Sequence, residues 1–301
     1  MSGALTAAQD FSAWRQSQQD RIERTLCAWV SADAPAGLGQ AMRYAVLDGG
    51  KRLRPLLALA VCEAVGGAPE AGLRAACALE LIHAYSLVHD DMPCMDNDVL
   101  RRGKPTVHVA FGEAQALLAG DALQALAFEL LVPDDASVDP AMAARLCLLL
   151  ARAAGAAGMA GGQAIDLASV GAALDRAGLE NMHRCKTGAL LQASVMMGAA
   201  TGVCDARALR CLREYGDALG LAFQVVDDVL DVTTDSATLG KTAGKDAAAD
   251  KPTFVSLMGL ASAQACADGL LEQAHAALRQ SGLARTQHLH ALADWVGQRA
   301  S

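Results

Sequence analysis

A chain of 301 residues with 25 basic and 33 acidic side chains carries a formal charge of −8, which weighs against nucleic acid or an acidic membrane surface as its main partner. Aromatic residues make up only 4% and there are just 8 prolines, so this Ala- and Leu-rich chain can bury a large core of helices, and no run of alternating β-branched residues argues for a sheet. Its 9 cysteines are scattered without metal-ligand spacing and read as reduced small hydrophobes of a cytoplasmic protein.

The first 24 residues contain Asp10 and Asp20 and no apolar core, so they are not a signal peptide. No uninterrupted stretch of about 18 apolar residues is found along the chain, and no membrane insertion is expected. Phe11, Trp14, Ile22, Leu26 and Trp29 recur at near-helical spacing and predict an amphipathic first helix. A second helix carries Met42, Val46 and Leu47 and ends at Gly49-Gly50. Next comes Gly50-Lys51-Arg52-Leu53-Arg54-Pro55, where Pro55 suits the first turn of an apolar helix. Free backbone donors beside Lys51 and Arg54 make either an ordinary basic helix start or an anion site.

Residues 75–88 form an apolar run of helical character that leads into His89-Asp90-Asp91-Met92-Pro93-Cys94-Met95-Asp96-Asn97-Asp98 and then Arg101-Arg102-Gly103. Pro93 crowds the carbonyl of His89 and stops the helix, leaving Asp90 and Asp91 in its last turn. A helix C-terminus already carries partial negative charge, so each carboxylate there forfeits roughly 0.3–1 kcal/mol and calls for a cation. His83 precedes Asp90 on the same helical face, where a lone histidine is usually a satisfied core residue.

Residues 121–132 and 141–154 read as core-lining helices. Gly158 and Gly162, four apart in a glycine-rich stretch that continues through Gln163 and Asp166, would let another backbone come close. Lys186-Thr187-Gly188 opens an apolar helix at residues 189–200 and is unremarkable as a surface feature. A further apolar helix from Leu212 ends in Gln224, Asp227, Asp228 and Asp231, with Asp227 and Asp231 on one face. Gly240-Lys241-Thr242 lacks the first glycine of a P-loop and the strand before it. The polar segment 233–252 reads as a lid, and residues 254–300 as amphipathic helix. Either the two acidic clusters are solvated helix ends, or they face each other across divalent metal. Two clusters on apolar helices favour the second, and oxygen-only ligands favour Mg²⁺ first and Mn²⁺ second.

Asp90-Asp91-x4-Asp96 with Arg101-Arg102-Gly103, and Asp227-Asp228-x2-Asp231, resemble the first and second aspartate-rich motifs of the trans-isoprenyl diphosphate synthases, in the variant of the bacterial farnesyl diphosphate synthases. The resemblance covers nearly the whole chain. It implies an all-α isoprenoid synthase fold, residues 1–301 as one helical bundle around a deep apolar cavity, and a homodimer. It also implies Mg²⁺ at Asp90, Asp91, Asp96, Asp227, Asp228 and Asp231. Isopentenyl diphosphate would be held by Gly50, Lys51, Arg54, His83 and Arg102. The allylic diphosphate would be held by Arg101, Lys186, Thr187, Gln224, Lys241 and Lys251, with Asp90, Asp96, Arg101, Lys186, Asp227 and Lys241 catalytic.

The implied reaction is ionisation of dimethylallyl or geranyl diphosphate, condensation with isopentenyl diphosphate and loss of a proton. Farnesyl diphosphate is the implied product, with geranyl or geranylgeranyl diphosphate as alternatives. A terpene cyclase has no use for a second diphosphate site at Lys51, Arg54 and His83, and a non-catalytic partner subunit is expected to lose carboxylates that this chain retains. For chain length, ideal helix geometry places Ser86 beneath Asp90 and rotates Tyr85 away, whereas the resemblance assigns the stop to Tyr85.

Overall fold

The computed structural model describes residues 2–47, 49–171, 174–233 and 252–298, without the side chains of residues 2–8. Helix α1 (Ser2–Trp29) turns Ile22 and Leu26 fully inward, as its apolar spacing predicts. Helix α2 (Leu38–Val46) ends shortly before Gly49, and α3 (Leu53–Ala64) starts directly after Arg52, which holds a left-handed conformation (φ 52°). Arg52 is buried and donates to Glu23, to Glu80 at 2.6 Å and to the carbonyl of Val46. The middle basic residue of the Lys51-Arg52-Leu53-Arg54 run is thereby spent on the fold, which makes Lys51 and Arg54 the candidates for a ligand.

Helix α4 (Pro69–Asp90) is apolar around most of its circumference and buried to match, from Ala75 through Val88. It packs against α3 and against α6 (Glu113–Leu131) and α10 (Ala189–Ala200). Glu80 is the buried charge on α4, and Arg52 neutralises it. Between α4 and α6 lie a hairpin of β1 (Leu100–Arg101) and β2 (Lys104–Pro105) and the short α5 (Val107–Phe111). The hairpin turns at Arg102 and Gly103, both at positive φ (53° and 75°), the combination that a tight two-residue antiparallel turn requires. This hairpin is the one departure from an all-helical chain among the described residues.

Beyond α6 the chain continues through α7 (Pro140–Ala154), α8 (Met159–Ala168) and α9 (Arg176–His183), then a π-helical turn (Arg184–Gly188) before α10. Helix α11 (Ala206–Thr233) lies on α10 and the π turn. The expected C-terminal helix is three: α12 (Phe254–Met258), α13 (Leu260–Gln280) and α14 (Gln287–Gly297). Gly259 (φ 80°) breaks it first, and residues 281–286 break it again.

One expectation is corrected. Three segments, Pro69–Asp90, Glu113–Leu131 and Pro140–Ala168, are long and apolar enough to cross a membrane. Counting only uninterrupted apolar runs missed them, because alanine-rich helices with a few interspersed charges reach the same mean hydropathy. For α4 the apolarity serves the protein's own core, since 78% of that window is buried inside the fold.

Candidate active site

The end of α4 shows how the first acidic motif is shaped. The helix stops at Asp90, and the chain folds back over its own C-terminus: Met92 N donates to the carbonyl of His89, Asp96 N to that of Asp90 (2.9 Å) and Asp98 N to that of Asp91 (3.1 Å). The otherwise unpaired last carbonyls of the helix are thus satisfied, and the Asp96 backbone is pinned to that of Asp90. Asn97, which interrupts the acidic run, sits at φ 52°, a conformation asparagine tolerates better than most residues.

Adjacent carboxylates here have separate surroundings. Asp90 lines a cavity of about 370 Å³ and accepts a 2.6 Å hydrogen bond from Gln163 Nε2 on α8. Asp91 points the other way and is buried. Arg101 Nε reaches both its oxygens (2.9 and 2.8 Å) and Nη2 donates at 2.5 Å. Burial pushes the Asp91 carboxyl upward and Arg101 opposes this; burial likewise works against the charge on Arg101, yet the Asp91 contact lifts its pKa overall. Charge-assisted hydrogen bonds to both carboxylate oxygens identify the contact as an ion pair. Asp91, expected among the metal ligands, thus has both oxygens turned to Arg101 and does not line the cavity that Asp90 lines. Arg101, expected on the allylic diphosphate, commits its Nε and Nη2 to this pair.

The second motif repeats the arrangement on α11. Asp228 is buried and uses both oxygens: Oδ1 accepts from Gln224 Nε2 (2.9 Å), and Oδ2 accepts from the backbone N of Phe254 at the start of α12 (2.8 Å). Asp228 is therefore an anchor for α12, while its carboxylate also lines a polar recess shared with Asp96, Lys186 and Gln224. Gln224 Oε1 in turn accepts from Thr187 Oγ1 (3.2 Å), so Thr187, Gln224 and Asp228 form one chain of contacts. Asp227 and Asp231 share the other face of α11, Asp227 half-buried and Asp231 buried.

Lys186 and Thr187 lie in the π-helical turn, a local widening that aims both at the cavity. Lys186 Nζ donates to Asp166 Oδ2 on α8 at 2.5 Å. The turn rests directly on α8, since a Cβ at Gly162 would overlap the backbone nitrogen of Lys186. The expected close approach is therefore real at Gly162, but Gly158 caps α8 and crowds the carbonyl of Ala153 instead.

At the other end of α3, Arg54 and His83 line the same cavity. Burial, and after it the charges of Arg54, Arg102, Arg101 and Arg52, hold the His83 imidazole well below its ordinary pKa. That ring is therefore a neutral hydrogen-bonding group near pH 7 inside a cluster of guanidinium groups. Burial also lowers the pKa of Arg54, while the charges of Glu80 and Asp227 raise it, so the second acidic motif lies within electrostatic reach of the basic cluster. Arg102 is exposed, donates to the carbonyl of Gly49 (3.0 Å), and lies against Gly50, whose φ of 105° and missing side chain leave room for the guanidinium. Lys51 is exposed beside them. Lys241, Lys251 and the lid expected at residues 233–252 fall outside the described residues, except for Thr233 and Pro252 at its margins.

Away from the charges the cavity is lined by Tyr85, Ser86, Leu87, Met159, Leu167 and Leu190. Tyr85 and Ser86 thus both face it. The side-chain hydroxyl of Ser86 turns back to the carbonyl of His83 (2.8 Å), whereas Tyr85 packs edge-on against His89 with ring centroids 5.7 Å apart. Gln163 and Asp166 belong to a Gly-Gln-x-x-Asp stretch that by resemblance lines the substrate cavity; Gln163 does line it and holds Asp90, and Asp166 holds Lys186. The available signal was two polar side chains sharing one face of an otherwise apolar helix, directly after Gly162.

Among the described residues no three Asp, Glu, His or Cys side chains stand close enough to hold an ion by themselves. The donor chemistry nonetheless fits a hard cation: Asp90 brings carboxylate oxygens to the cavity that Lys186 and Arg54 also line, and Asp96 lines a polar recess that shares Lys186. Mg²⁺ keeps several waters and is commonly held by one or two carboxylates together with substrate phosphates, so a complete protein cage is not the arrangement to expect.

The sequence model for polyprenyl synthetases matches residues 35–289. The chain belongs to that family. A geranylgeranyl pyrophosphate synthase of Arabidopsis thaliana, chloroplastic form 7, is 46% identical over 293 residues, covering 96% of this chain and 84% of the relative. A farnesyl diphosphate synthase of Geobacillus stearothermophilus is 47% identical over 249 residues, 82% of this chain and 84% of the relative. Among solved structures, an FPP/GFPP synthase of Zymomonas mobilis superposes with a TM-score of 0.86 at 41% identity, covering 96% of this chain and 99% of that one. A Helicobacter pylori geranyltransferase complexed with magnesium and isoprenyl diphosphate gives 0.85 at 35% identity, covering 95% and 97%. The isoprenoid synthase fold is thereby established for this chain.

Proposed function

We propose that the protein joins isopentenyl diphosphate to dimethylallyl diphosphate and then to geranyl diphosphate, releasing (2E,6E)-farnesyl diphosphate. The observation that carries this reading is the cavity itself, with Arg54, His83, Asp90, Lys186 and Thr187 at its polar end and an apolar remainder that reaches Tyr85. Asp90, Asp96, Asp227 and Asp231 would hold Mg²⁺, with Mn²⁺ as a substitute. When bound, the cation supplies positive charge to the departing diphosphate. Lys186, Thr187 and Gln224 orient that diphosphate, and Lys241 and Lys251 join them by resemblance. Lys51, Arg54 and Arg102 hold the diphosphate of isopentenyl diphosphate, with His83 among them as a neutral hydrogen-bonding group. The apolar walls keep water from the allylic cation until the double bond attacks it. No protein side chain is assigned as the base; the released diphosphate takes the proton.

Tyr85 supports the fifteen-carbon product because it is the large ring lining the apolar part of the cavity one turn before Asp90. The relatives divide between farnesyl and geranylgeranyl synthases. Incubating the purified chain with isopentenyl and dimethylallyl diphosphates and Mg²⁺, then chromatographing dephosphorylated products, tests the reading. Mainly farnesol is expected. A ten- or twenty-carbon product overturns the chain length, and absence of condensation overturns the activity.

A homodimer is part of the same reading. Leu117 and Leu118 on α6 and Leu148 on α7 are 46%, 52% and 42% exposed, an apolar surface that a second copy would cover. A monomeric mass in sedimentation would overturn it. Cytoplasmic placement is supported by the cysteines, all of them free, with Cys27 and Cys94 exposed.

A further inference from the structure

His183 ends α9, three residues before Lys186, and is only 8% exposed. Neither of its ring nitrogens has a hydrogen-bond partner. The ring stacks on Phe254 with centroids 5.5 Å apart and planes inclined by 27°. It also borders a separate polar recess of about 140 Å³ whose walls include Asp96, Asp166, Lys186, Gln224 and Asp228. Residues from both acidic motifs and from the π turn therefore line one recess with this imidazole.

A buried histidine normally gives each nitrogen a partner, and one that lacks both weakens the fold that contains it. Burial holds the ring at a pKa of about 4, against the charge of Asp166, so it is neutral near pH 7 and offers one donor and one acceptor. Phe254 covers one face of the ring without fixing either nitrogen. Rotation about the Cβ–Cγ bond can turn a nitrogen toward the recess while the stacking partner stays in place.

We propose that His183 is a further binding residue for the anionic end of the substrate, turning into this recess on ligation and donating its N–H to a diphosphate oxygen. The proposal rests on the diphosphate-binding reading given above. It gives the unpaired imidazole its missing partner, which arrives with the ligand.

The test uses the full chain, inorganic diphosphate with Mg²⁺, calorimetry for affinity, and thermal melting without ligand. His183→Leu and His183→Met remove the unpaired nitrogens. They are expected to melt at or above wild type and to bind diphosphate at least about tenfold more weakly, the factor for one hydrogen bond to a charged group. His183→Gln, which keeps a donor and an acceptor, is expected to bind within about threefold of wild type on the same ground. Unchanged affinity in the two apolar variants overturns the proposal, as does a lowered melting temperature or failure to fold in both, which would mark His183 as an ordinary core residue. Failure of wild type to bind diphosphate overturns the broader functional reading as well, and so is distinguishable from failure of the His183 assignment alone.

Discussion

Asp90 and Asp91 are neighbours in one motif, and opposite outcomes are expected when each is replaced by alanine. In Asp91→Ala the guanidinium of Arg101 loses contacts at 2.5, 2.8 and 2.9 Å and keeps the charge of Asp90 and the carboxylate of Asp98, whose Oδ2 is 3.9 Å away. Removing one partner of a fully buried ion pair costs about 3–5 kcal/mol. The Arg101 side chain is 33% accessible and regains part of its hydration, so about 2 kcal/mol is the better figure here. That corresponds to a fall in Tm of about 3 °C for a chain of this size. Asp90→Ala loses the bond from Gln163, worth about 1.5 kcal/mol to a charged acceptor, and removes a carboxylate from a helix C-terminus, which returns roughly 0.3–1 kcal/mol. The net loss is about 1 kcal/mol, so its Tm, measured with chelator present, should fall less than that of Asp91→Ala. Turnover should show the reverse order, with Asp90→Ala down by at least about a hundredfold through loss of charge stabilisation. Asp91→Ala should retain most activity below its melting range. Wild-type melting with abolished turnover in Asp91→Ala would refute the division and return Asp91 to the cation.

Gly162→Ala places a methyl on the backbone of Lys186 and must displace the π turn, so a loss of about 1–3 kcal/mol in denaturant titration is expected together with a raised KM for the allylic substrate. Tyr85→Ala should lengthen the product beyond fifteen carbons, read by chromatography of the dephosphorylated alcohols; an unchanged distribution removes Tyr85 as the floor. The His183 pKa of about 4 lies below its unfolded value near 6.5, so the unfolded chain binds the proton more readily, and the stability contribution present above pH 6.5 is lost as the pH falls toward 4. That loss amounts to about 3 kcal/mol, and His183→Leu should flatten the stability curve across this window; identical curves for the two proteins would contradict it.

What the sequence conveyed and what it concealed follow from the range of the interactions involved. Helices α4 and α10 were legible because burial on every side leaves an uninterrupted apolar signature, and the stop at Asp90 was legible because Pro93 acts within one turn. The partners of the acidic residues were not. Gln163 meets Asp90 across 73 positions and Phe254 meets Asp228 across 26, and neither Gln nor a backbone N–H announces such a role in a local pattern. The same limit applies to the cavity lining, where ideal helix rotation turns Tyr85 away although its ring lines the cavity beside Ser86.

Helix geometry also explains why each motif carries a carboxylate that is turned away from the cavity. Consecutive helical residues project about 100° apart, so Asp90 with Asp91, and Asp227 with Asp228, cannot direct both side chains to one point. The second member faces a neighbouring element, and a buried carboxylate there is stable only with strong donors. Arg101 on the hairpin meets Asp91, while Gln224 and the first backbone N–H of α12 meet Asp228. In each acidic pair the second carboxylate is a fastening: the hairpin that carries Arg102 is tied to Asp91, and the helix that begins at Phe254 is tied to Asp228. Replacing the second aspartate of either pair is therefore expected to loosen the element fastened to it, which makes the doubled aspartate a positioning device.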